Sequence, residues 1–271
     1  MASLLTRVAH LADRSVRYLE AGAGQPIILL HAFPLSADQW LPQLARPHAG
    51  WRVIAPDLRG FRGAGPAFEQ RGLDAVRIDD YANDVFELMT HLEIDRAVIG
   101  GLSMGGYVAL AMQRLAPERI AGLVLANTRA TADSEQGRAG RDRLIALAEA
   151  EGPAAIAREM VPKLLGPTSL RERPDLVDAL TAVVTMNSTE AIVAGLTAMK
   201  SRADSTPLLS SIAVPVTVIA GEEDAIIPVA EAEAMHRGIP SSRLIVIPRA
   251  GHLSNLEDPA VFASGLTAPR L

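Results

Sequence analysis

The sequence has 271 residues, of which 49% are hydrophobic, and a formal net charge of −5 at pH 7. This length and composition suit one large domain with a sizeable core, and the mildly acidic charge, without blocks of like sign, does not indicate binding to nucleic acid or to a membrane surface. The sequence contains no cysteine, which excludes disulfides, thiolate catalysis and thiolate metal sites.

The first 17 residues carry scattered charges and lack the apolar run of a signal peptide. No apolar run in the sequence reaches the length of a membrane span. We therefore expect a cytoplasmic protein that acts on a small molecule. The sequence does not indicate an oligomeric state.

The first half of the chain alternates strand-like and helix-like segments. Apolar runs predict strands at 16–20, 27–30, 51–55, 97–99 and 120–126. Apolar spacing predicts helices at 36–44, at 79–92 and from Ser103 to about residue 115. This alternation is typical of a parallel sheet with helical crossovers, and in such sheets binding sites form at the carboxyl ends of the strands.

The pattern changes between residues 131 and 206, where no strand-like run occurs. Stretches rich in alanine, leucine and arginine, interrupted by prolines, predict about four short helices there. These are too few for a separate globular domain, so we expect them to form a cap on the sheet. The predicted organisation is a core of residues 1–130 and 207–271 with a helical cap at 131–206. In the second part of the core we predict strands at 214–220 and 243–247 and helices at 228–236 and 258–266.

Gly101, Ser103 and Gly105 form the pattern Gly-x-Ser-x-Gly between a predicted strand and a predicted helix. This is the context of a nucleophile elbow, a tight turn in which the serine has a strained backbone and its neighbours must be small. The pattern also arises by chance, as a glycine-rich turn beside an uninvolved serine. The residues at the other strand ends therefore decide between the two interpretations.

An acyl-transfer serine needs a base that takes its proton and an acid that orients the base. His252, just after the last predicted strand, is the candidate base. Asp224, in the loop after the preceding strand, is the candidate acid, although Glu222 and Glu223 lie in the same loop. The chain order serine, aspartate, histidine is the one expected for a nucleophile elbow on an α/β sheet.

The oxyanion that forms during acyl transfer needs hydrogen-bond donors, and backbone N–H groups can supply them. We predict that the N–H groups of Phe33 and Met104 form this oxyanion hole, because both residues follow strand ends. His31, at the end of the same strand as Phe33, is interpreted as a hydrogen-bonding residue that shapes the loop. It is also a candidate for contact with the substrate.

The sequence resembles the α/β-hydrolase superfamily over essentially its full length. The segments that carry the resemblance are His31-Ala32-Phe33-Pro34, Asp57-x-Arg59-Gly60, Gly101-Leu102-Ser103-Met104-Gly105-Gly106, Gly221-x-x-Asp224-x-x-x-Pro228 and Gly251-His252. The resemblance implies the α/β-hydrolase fold, a mostly parallel central sheet with helices on both faces and an inserted helical cap. It also implies that the matched serine, aspartate and histidine form a catalytic triad, with the oxyanion hole at Phe33 and Met104.

Within this superfamily the sequence is most similar to small carboxylesterases and to 3-oxoadipate enol-lactonases, through Gly-Leu-Ser-Met-Gly-Gly and the segments 125–128 and 252–257. It departs from the family pattern at Ala32, where glycine is usual, and at residues 61–64, which form the lip of the expected pocket. Haloalkane dehalogenases and epoxide hydrolases have an aspartate at the elbow, so Ser103 argues against their reactions.

The leading hypothesis is a serine hydrolase of short-chain carboxylic esters that needs no metal and no cofactor. The alternatives are an enol-lactone hydrolase, a cofactor-free perhydrolase and a ligand receptor built on a hydrolase scaffold. An enol-lactone substrate carries a carboxylate, for which Arg59, Arg62 and Arg129 are candidate cations by position, unless they are ordinary surface arginines. Met160 and Met186 are candidates for lining an apolar substrate pocket, with packing of the cap as the other interpretation.

Overall fold

A computed structural model describes residues 4–46, 50–63 and 72–266 of the chain. Its strands are β1 Leu5–His10, β2 Ser15–Gly22, β3 Gln25–Leu30, β4 Trp51–Pro56, β5 Ala97–Leu102, β6 Ile120–Ala126, β7 Val216–Gly221 and β8 Ser242–Ile247. They form one eight-stranded sheet in the order β1-β2-β4-β3-β5-β6-β7-β8. Strand β2 runs antiparallel to both of its neighbours, and the other pairs are parallel. The predicted mostly parallel sheet is therefore confirmed.

The α-helices are α1 Leu41–Leu44, α2 Ile78–His91, α3 Met104–Leu115, α4 Glu135–Glu151, α5 Pro153–Leu164, α6 Pro167–Glu172, α7 Pro174–Thr185, α8 Thr189–Lys200, α9 Val229–Gly238, α10 Ser254–Glu257 and α11 Pro259–Leu266. The predicted helix at 36–44 is in fact a 3₁₀ turn, Ala37–Trp40, followed by the short helix α1. Helix α10, directly after His252, was not predicted, because four residues are too short to show a helical period.

The central strands β5, β6 and β7 are continuous apolar runs, and every one of their residues is buried. A strand buried along its whole length has both of its faces covered, which is the usual state of parallel strands packed between helices. The loops that carry Ser103, Asp224 and His252 follow the carboxyl ends of β5, β7 and β8. The sheet therefore brings these three loops to one edge.

Strand β1 was not predicted from the sequence. It lies at the edge of the sheet and pairs only with β2, and of its six residues only Ala9 is buried. A strand exposed on both faces has no need for apolar residues at alternate positions, so it lacks the period that identifies a strand.

The chain between β6 and β7 contains five α-helices, α4 to α8, and no strand. We predicted about four, and the additional helix arises because the short α6 stands apart from α7 at Pro174. Helix α4 packs on α8, and α5 packs on α7. The division of the chain into a core and a cap at 131–206 stays a prediction.

Within the described ranges, no single helix is long and apolar enough to cross a membrane. Helices α7 and α8 together match a span by length and composition, but they are bent by 98° relative to each other. Most of α8 is buried in the protein.

Candidate active site

Ser103 occupies the tight turn between β5 and α3, with φ 54° and ψ −113°. Its N–H donates to the carbonyl of Ala126 (2.9 Å), and its own carbonyl accepts from the hydroxyl of Thr128 (2.9 Å). Ser103 is thus bonded to the residues at the end of β6 through its main-chain atoms only. No hydrogen bond involves the Ser103 hydroxyl within the part of the chain that the structure describes.

The two glycines of the motif are required by close approach of the backbone. A Cβ on Gly101 would lie 2.0 Å from the carbonyl oxygen of Gly105, and a Cβ on Gly105 would lie 2.1 Å from the carbonyl oxygen of Leu30. These distances are far below any van der Waals contact, and the backbone atoms of α3 and of the central strand β3 cannot shift to relieve them. The steric reason for glycine at both positions is the one the sequence predicted.

We expect Gly105→Ala to lower the free energy of unfolding by about 3 kcal/mol, because the added methyl group overlaps the backbone of β3. Urea denaturation measures this change. The matched control is Gly140→Ala in α4, where an added Cβ meets no atom of the described residues within 4 Å apart from the backbone of its own helix. The higher helix propensity of alanine is expected to stabilise this variant by up to about 1 kcal/mol. Equal stability of the two variants would contradict the tight turn.

Asp224 and His252 form a buried pair at the edge of the sheet. The Nδ1 atom of His252 lies 2.8 Å from Oδ2 of Asp224, and the two residues are 2% and 7% exposed. The other carboxylate oxygen accepts the N–H groups of Ile226 (2.8 Å) and Ile227 (2.9 Å). With Nδ1 engaged by the carboxylate, Nε2 of His252 is the nitrogen left to exchange a proton.

Several groups keep the Asp224 carboxylate ionised. Burial would raise the pKa of Asp224, but the attraction of His252, its hydrogen bond and those from Ile227 and Asn127 outweigh burial and lower the pKa below its usual value. A carboxylate that is ionised and fixed in place stabilises the charged form of the neighbouring imidazole.

The competing acids Glu222 and Glu223 point elsewhere. Glu223 accepts from the N–H (2.9 Å) and the hydroxyl (2.7 Å) of Thr168, at the start of α6. Glu222 accepts from the N–H of Arg249 (3.1 Å). Of the three acidic residues in the loop, Asp224 is the one that contacts His252.

Asn127 is a supporting residue whose role the sequence analysis missed. Its amide nitrogen donates to Oδ2 of Asp224 (2.9 Å) and to the carbonyl of Gly251 (3.1 Å), and its amide oxygen accepts from Ser254 (2.5 Å). Asn127 therefore connects the ends of β6, β7 and β8. The available signal was a polar side chain directly after a buried strand, at the edge where the other site residues lie.

The predicted oxyanion-hole donors lie at two strand ends. Phe33 follows β3, and Met104 is the first residue of α3; both are buried. Neither N–H donates a hydrogen bond to another group among the described residues. The N–H of Met104 has no intrahelical acceptor because it opens the helix. Both donors are therefore available, and their role stays a prediction.

His31 holds the loop that carries Phe33. Its Nε2 accepts the N–H of Leu58 (3.0 Å), so its Nδ1 carries the proton and donates to the carbonyl of Ala32 (2.9 Å). Burial lowers the pKa of His31, which agrees with a neutral ring. The ring also packs edge-on against Phe61, with 5.2 Å between the centroids. With both nitrogens engaged, His31 shapes the loop, as interpreted from the sequence.

The arginines proposed as partners of a substrate carboxylate are each paired with a carboxylate of the protein. Arg59 binds Asp84 through Nε (2.7 Å) and Nη2 (2.5 Å) and also reaches Asp13 (3.2 Å). The guanidinium of Arg59 is therefore held toward α2 by Asp84, and a contact of Arg59 with substrate stays a prediction.

The other two arginines are engaged as well. Arg62 pairs with Asp38, and Arg129 pairs with Asp133 (2.6 Å). Of the two methionines, Met186 is 53% exposed and Met160 is partly buried against the core. A contact of either with substrate stays a prediction. The predicted pocket lip at residues 61–64 is described only up to residue 63, and Ala64 lies outside the described residues.

The helices between β6 and β7 contact the candidate site through Asn187, which the sequence analysis also missed. Its amide donates to the carbonyl of Pro34 (2.8 Å) and accepts from the N–H of Arg62 (2.8 Å). Gly195 of α8 lies against the rings of Phe33 and Phe61, where an added Cβ would approach both to 3.0 Å. The segment therefore packs directly on the loop that carries Phe33.

Comparison with known proteins agrees with this architecture. The chain is 30% identical to 3-oxoadipate enol-lactonase 2 of Acinetobacter baylyi over 258 residues, which cover 94% of this chain and 93% of that protein. It is similar, with a TM-score of 0.88 and 36% identity, to a thermophilic esterase from Thermogutta terrifontis solved with malate bound (98% of this chain, 96% of that one). It also matches the enol-lactonase from Burkholderia xenovorans LB400, with a TM-score of 0.85 and 26% identity (96% and 98%).

The fold, the turn at Ser103 and these relatives together define the class of protein as an α/β hydrolase. A model of the alpha/beta hydrolase family matches residues 27–264, and the chain belongs to this family. Its similar proteins include both esterases and enol-lactonases.

Proposed function

We propose that the protein is a serine hydrolase that cleaves short-chain carboxylic esters through an acyl-enzyme intermediate on Ser103. The observation that carries this proposal is the buried pair of Asp224 and His252, which leaves Nε2 of the histidine as a base at the same edge of the sheet as Ser103. The similar esterase from Thermogutta terrifontis supports the same activity.

In the first half of the reaction, the Ser103 oxygen attacks the ester carbonyl carbon and its proton passes to Nε2 of His252. Asp224 stabilises the imidazolium that results. The N–H groups of Phe33 and Met104 stabilise the oxyanion of the tetrahedral intermediate. The bond between the carbonyl carbon and the alcohol oxygen then breaks, and the alcohol leaves with the proton from His252.

In the second half, His252 takes a proton from water, and the resulting hydroxide attacks the acyl carbon of the ester on Ser103. The second tetrahedral intermediate uses the same two donors. Its collapse returns the proton to the Ser103 oxygen and releases the acid. No hydrogen bond joins Ser103 to His252 within the described residues. Catalytic hydrogen bonds are often long without substrate and shorten when it binds.

The pairing of the three candidate arginines favours an uncharged substrate. Arg59 and Arg62 each have a carboxylate partner within the protein, so a substrate carboxylate would have to displace one of these pairs. Arg129 is paired with Asp133 and lines a separate cavity that Ser103, Asp224 and His252 do not line. The close packing of α8 on Phe33 and Phe61 also restricts the space beside the expected oxyanion hole. Both observations support a short acyl chain on a neutral ester.

Turnover of p-nitrophenyl esters across a range of acyl-chain lengths tests this proposal. We expect kcat/KM to be highest for the shortest acyl chains and to fall by about tenfold or more for long ones, because a methylene without room in a packed site costs about 1–3 kcal/mol. The Ser103→Ala variant measured beside the wild type gives the background rate. Serine-dependent turnover that rises steadily with chain length would contradict the short-chain assignment.

The second candidate is hydrolysis of an enol-lactone, which the 30% identity to 3-oxoadipate enol-lactonase 2 favours. The chemistry on Ser103 would be the same, with the leaving enol kept in the product molecule. A comparison of kcat/KM for a neutral ester and for a carboxylated enol-lactone separates the two candidates. A clear preference for the lactone would replace ester hydrolysis as the function.

A further inference from the structure

A cavity lies beside α3 and faces the two ends of the chain between β6 and β7 (helices α4 to α8), which we call the helical segment. Its volume is about 280 Å³, close to the roughly 300 Å³ at which small-molecule pockets begin. It is lined by four arginines, Arg77, Arg114, Arg129 and Arg202, and we call it the arginine cavity. Ser103, Asp224 and His252 do not line it.

The arginine cavity carries an excess of positive charge. Asp79 is the carboxylate among its described lining residues, and it pairs with Arg114 (2.5 Å). Arg77 is exposed, and its guanidinium donates to main-chain carbonyls rather than to a carboxylate of the described residues. Arg77 and Arg114 are exposed and lie at the open side of the cavity. Arg129 and Arg202 form its deeper side.

On the deeper side, cations outnumber carboxylates, although Arg202 also donates to the main-chain carbonyls of Met199 (2.9 Å) and Thr131 (2.8 Å). Asp133, which is buried, accepts from Arg129 (2.6 Å), Arg202 (2.7 Å) and Arg141 (3.1 Å), so three guanidinium groups share one carboxylate. The Nε–H groups of Arg129 and Arg202 are buried and have no acceptor among the described residues. Arg202 is only 8% exposed and also stacks over Tyr107, with its guanidinium carbon 4.1 Å from the ring centroid.

Buried cations are normally paired, because an uncompensated charge loses its hydration without replacement. We propose that the arginine cavity binds a small oxyanion that carries two negative charges, of the phosphate or dicarboxylate class. Guanidinium groups match the planar or tetrahedral oxygens of such anions with paired hydrogen bonds. The proposal is independent of the reaction at Ser103.

The position of the cavity gives the bound anion a structural effect. Its lining includes Arg129 and Ala130, where the chain enters the helical segment, and Ser201, Arg202, Ala203 and Ser205, where the chain leaves it. The two connections already meet through the Ser205 N–H and the Ala130 carbonyl (2.8 Å). An anion that bridges them to Arg114 of α3 would fasten the segment to the core.

The test is isothermal titration of the full chain with inorganic phosphate and, separately, with succinate at low ionic strength. We expect saturable binding of at least one of them, and Arg129→Gln is expected to weaken it by about tenfold, the value of one charge-assisted hydrogen bond. Arg114→Gln is expected to weaken anion binding as well. Because Arg114 is exposed, this variant provides the test if Arg129→Gln does not fold. The tighter of the two ligands identifies the source of the anion.

The matched control is Arg141→Gln, which removes the same charge beside Asp133 from a residue that does not line the cavity. It is expected to change the affinity by less than about threefold, because a charge outside the cavity acts only through a screened field. The melting temperature of the wild type should rise with the bound anion, and that of Arg129→Gln should rise less at the same anion concentration. No saturable binding at concentrations up to about 10 mM, or equal weakening by Arg129→Gln and Arg141→Gln, would overturn the proposal.

Discussion

Ser103→Ala is expected to reduce kcat for ester hydrolysis by roughly 10⁶-fold while the protein remains folded. The loss follows because the proposed mechanism has no other nucleophile. The fold is expected to survive, because the main chain of Ser103 makes the bonds that hold the turn, to Ala126 and Thr128, and the hydroxyl makes none within the described residues. Steady-state kinetics on the best p-nitrophenyl ester, with circular dichroism as the check on folding, measures the effect.

The matched control is Ser211→Ala, which removes a serine hydroxyl from an exposed position where it donates only to the carbonyl of Leu208 (2.8 Å). Its kinetic constants should equal those of the wild type. If Ser103→Ala retained near-native turnover, the acyl-enzyme mechanism would be wrong. If a folded wild type showed no turnover of any ester or lactone, a receptor on a hydrolase scaffold would replace the enzyme as the explanation.

The central part of the fold could be predicted from the sequence because the burial of each central strand is determined by the strand's own residues. Strands β5, β6 and β7 are buried on both faces. Burial of both faces requires apolar residues at successive positions, so these strands are visible in the sequence as continuous apolar runs. The carboxyl ends of parallel strands share an edge, so the loops that follow them could be grouped from the order of the strands alone. The contact between Asp224 and His252 was predictable on the same ground.

The parts that the sequence could not predict depend on partners distant in the chain. Strand β1 has no apolar period, because it is stabilised by pairing with β2 rather than by burial. The position of Arg59 in the chain places it near the edge of the sheet, but its guanidinium binds Asp84 of α2. Asn127 and Asn187 each connect loops from separate parts of the sequence. Asn127 at least follows a buried strand directly, but Asn187 lies between two helices, where no local pattern distinguishes such an amide from one on the surface.

Asp224→Asn is expected to lower kcat for ester hydrolysis by about 10⁴-fold, the loss known for an aspartate-to-asparagine change in a serine triad. Each carboxylate oxygen accepts two hydrogen bonds, one oxygen from Ile226 and Ile227 and the other from Asn127 and His252. The amide of an asparagine has one oxygen that accepts hydrogen bonds and one NH₂ group that donates them. In either orientation of this amide, the NH₂ group therefore faces two groups that are themselves donors. If the NH₂ group faces His252, the imidazole must accept at Nδ1 and carry its proton on Nε2. The nitrogen that should take the serine proton is then already protonated.

Glu222→Gln is the matched control for this change, because it converts a carboxylate to an amide two residues away at a side chain that accepts from the N–H of Arg249. It should leave kcat within about twofold of the wild type, since the Glu222 carboxylate has no contact with His252.

The stability of Asp224→Asn gives a second readout of the same pair. The pKa of Asp224 is lower in the folded chain than its unfolded value of about 3.9, so its carboxylate contributes its full stabilisation above that pH. This contribution decreases as the pH falls below the unfolded value and is lost once the pH has fallen through the lowered folded value. The difference in unfolding free energy between the wild type and Asp224→Asn should therefore be constant near neutral pH and shrink in acid. If Asp224→Asn kept wild-type kcat while Glu222→Gln lost it, the acid of the triad would be Glu222, and the buried pair would have only a structural role.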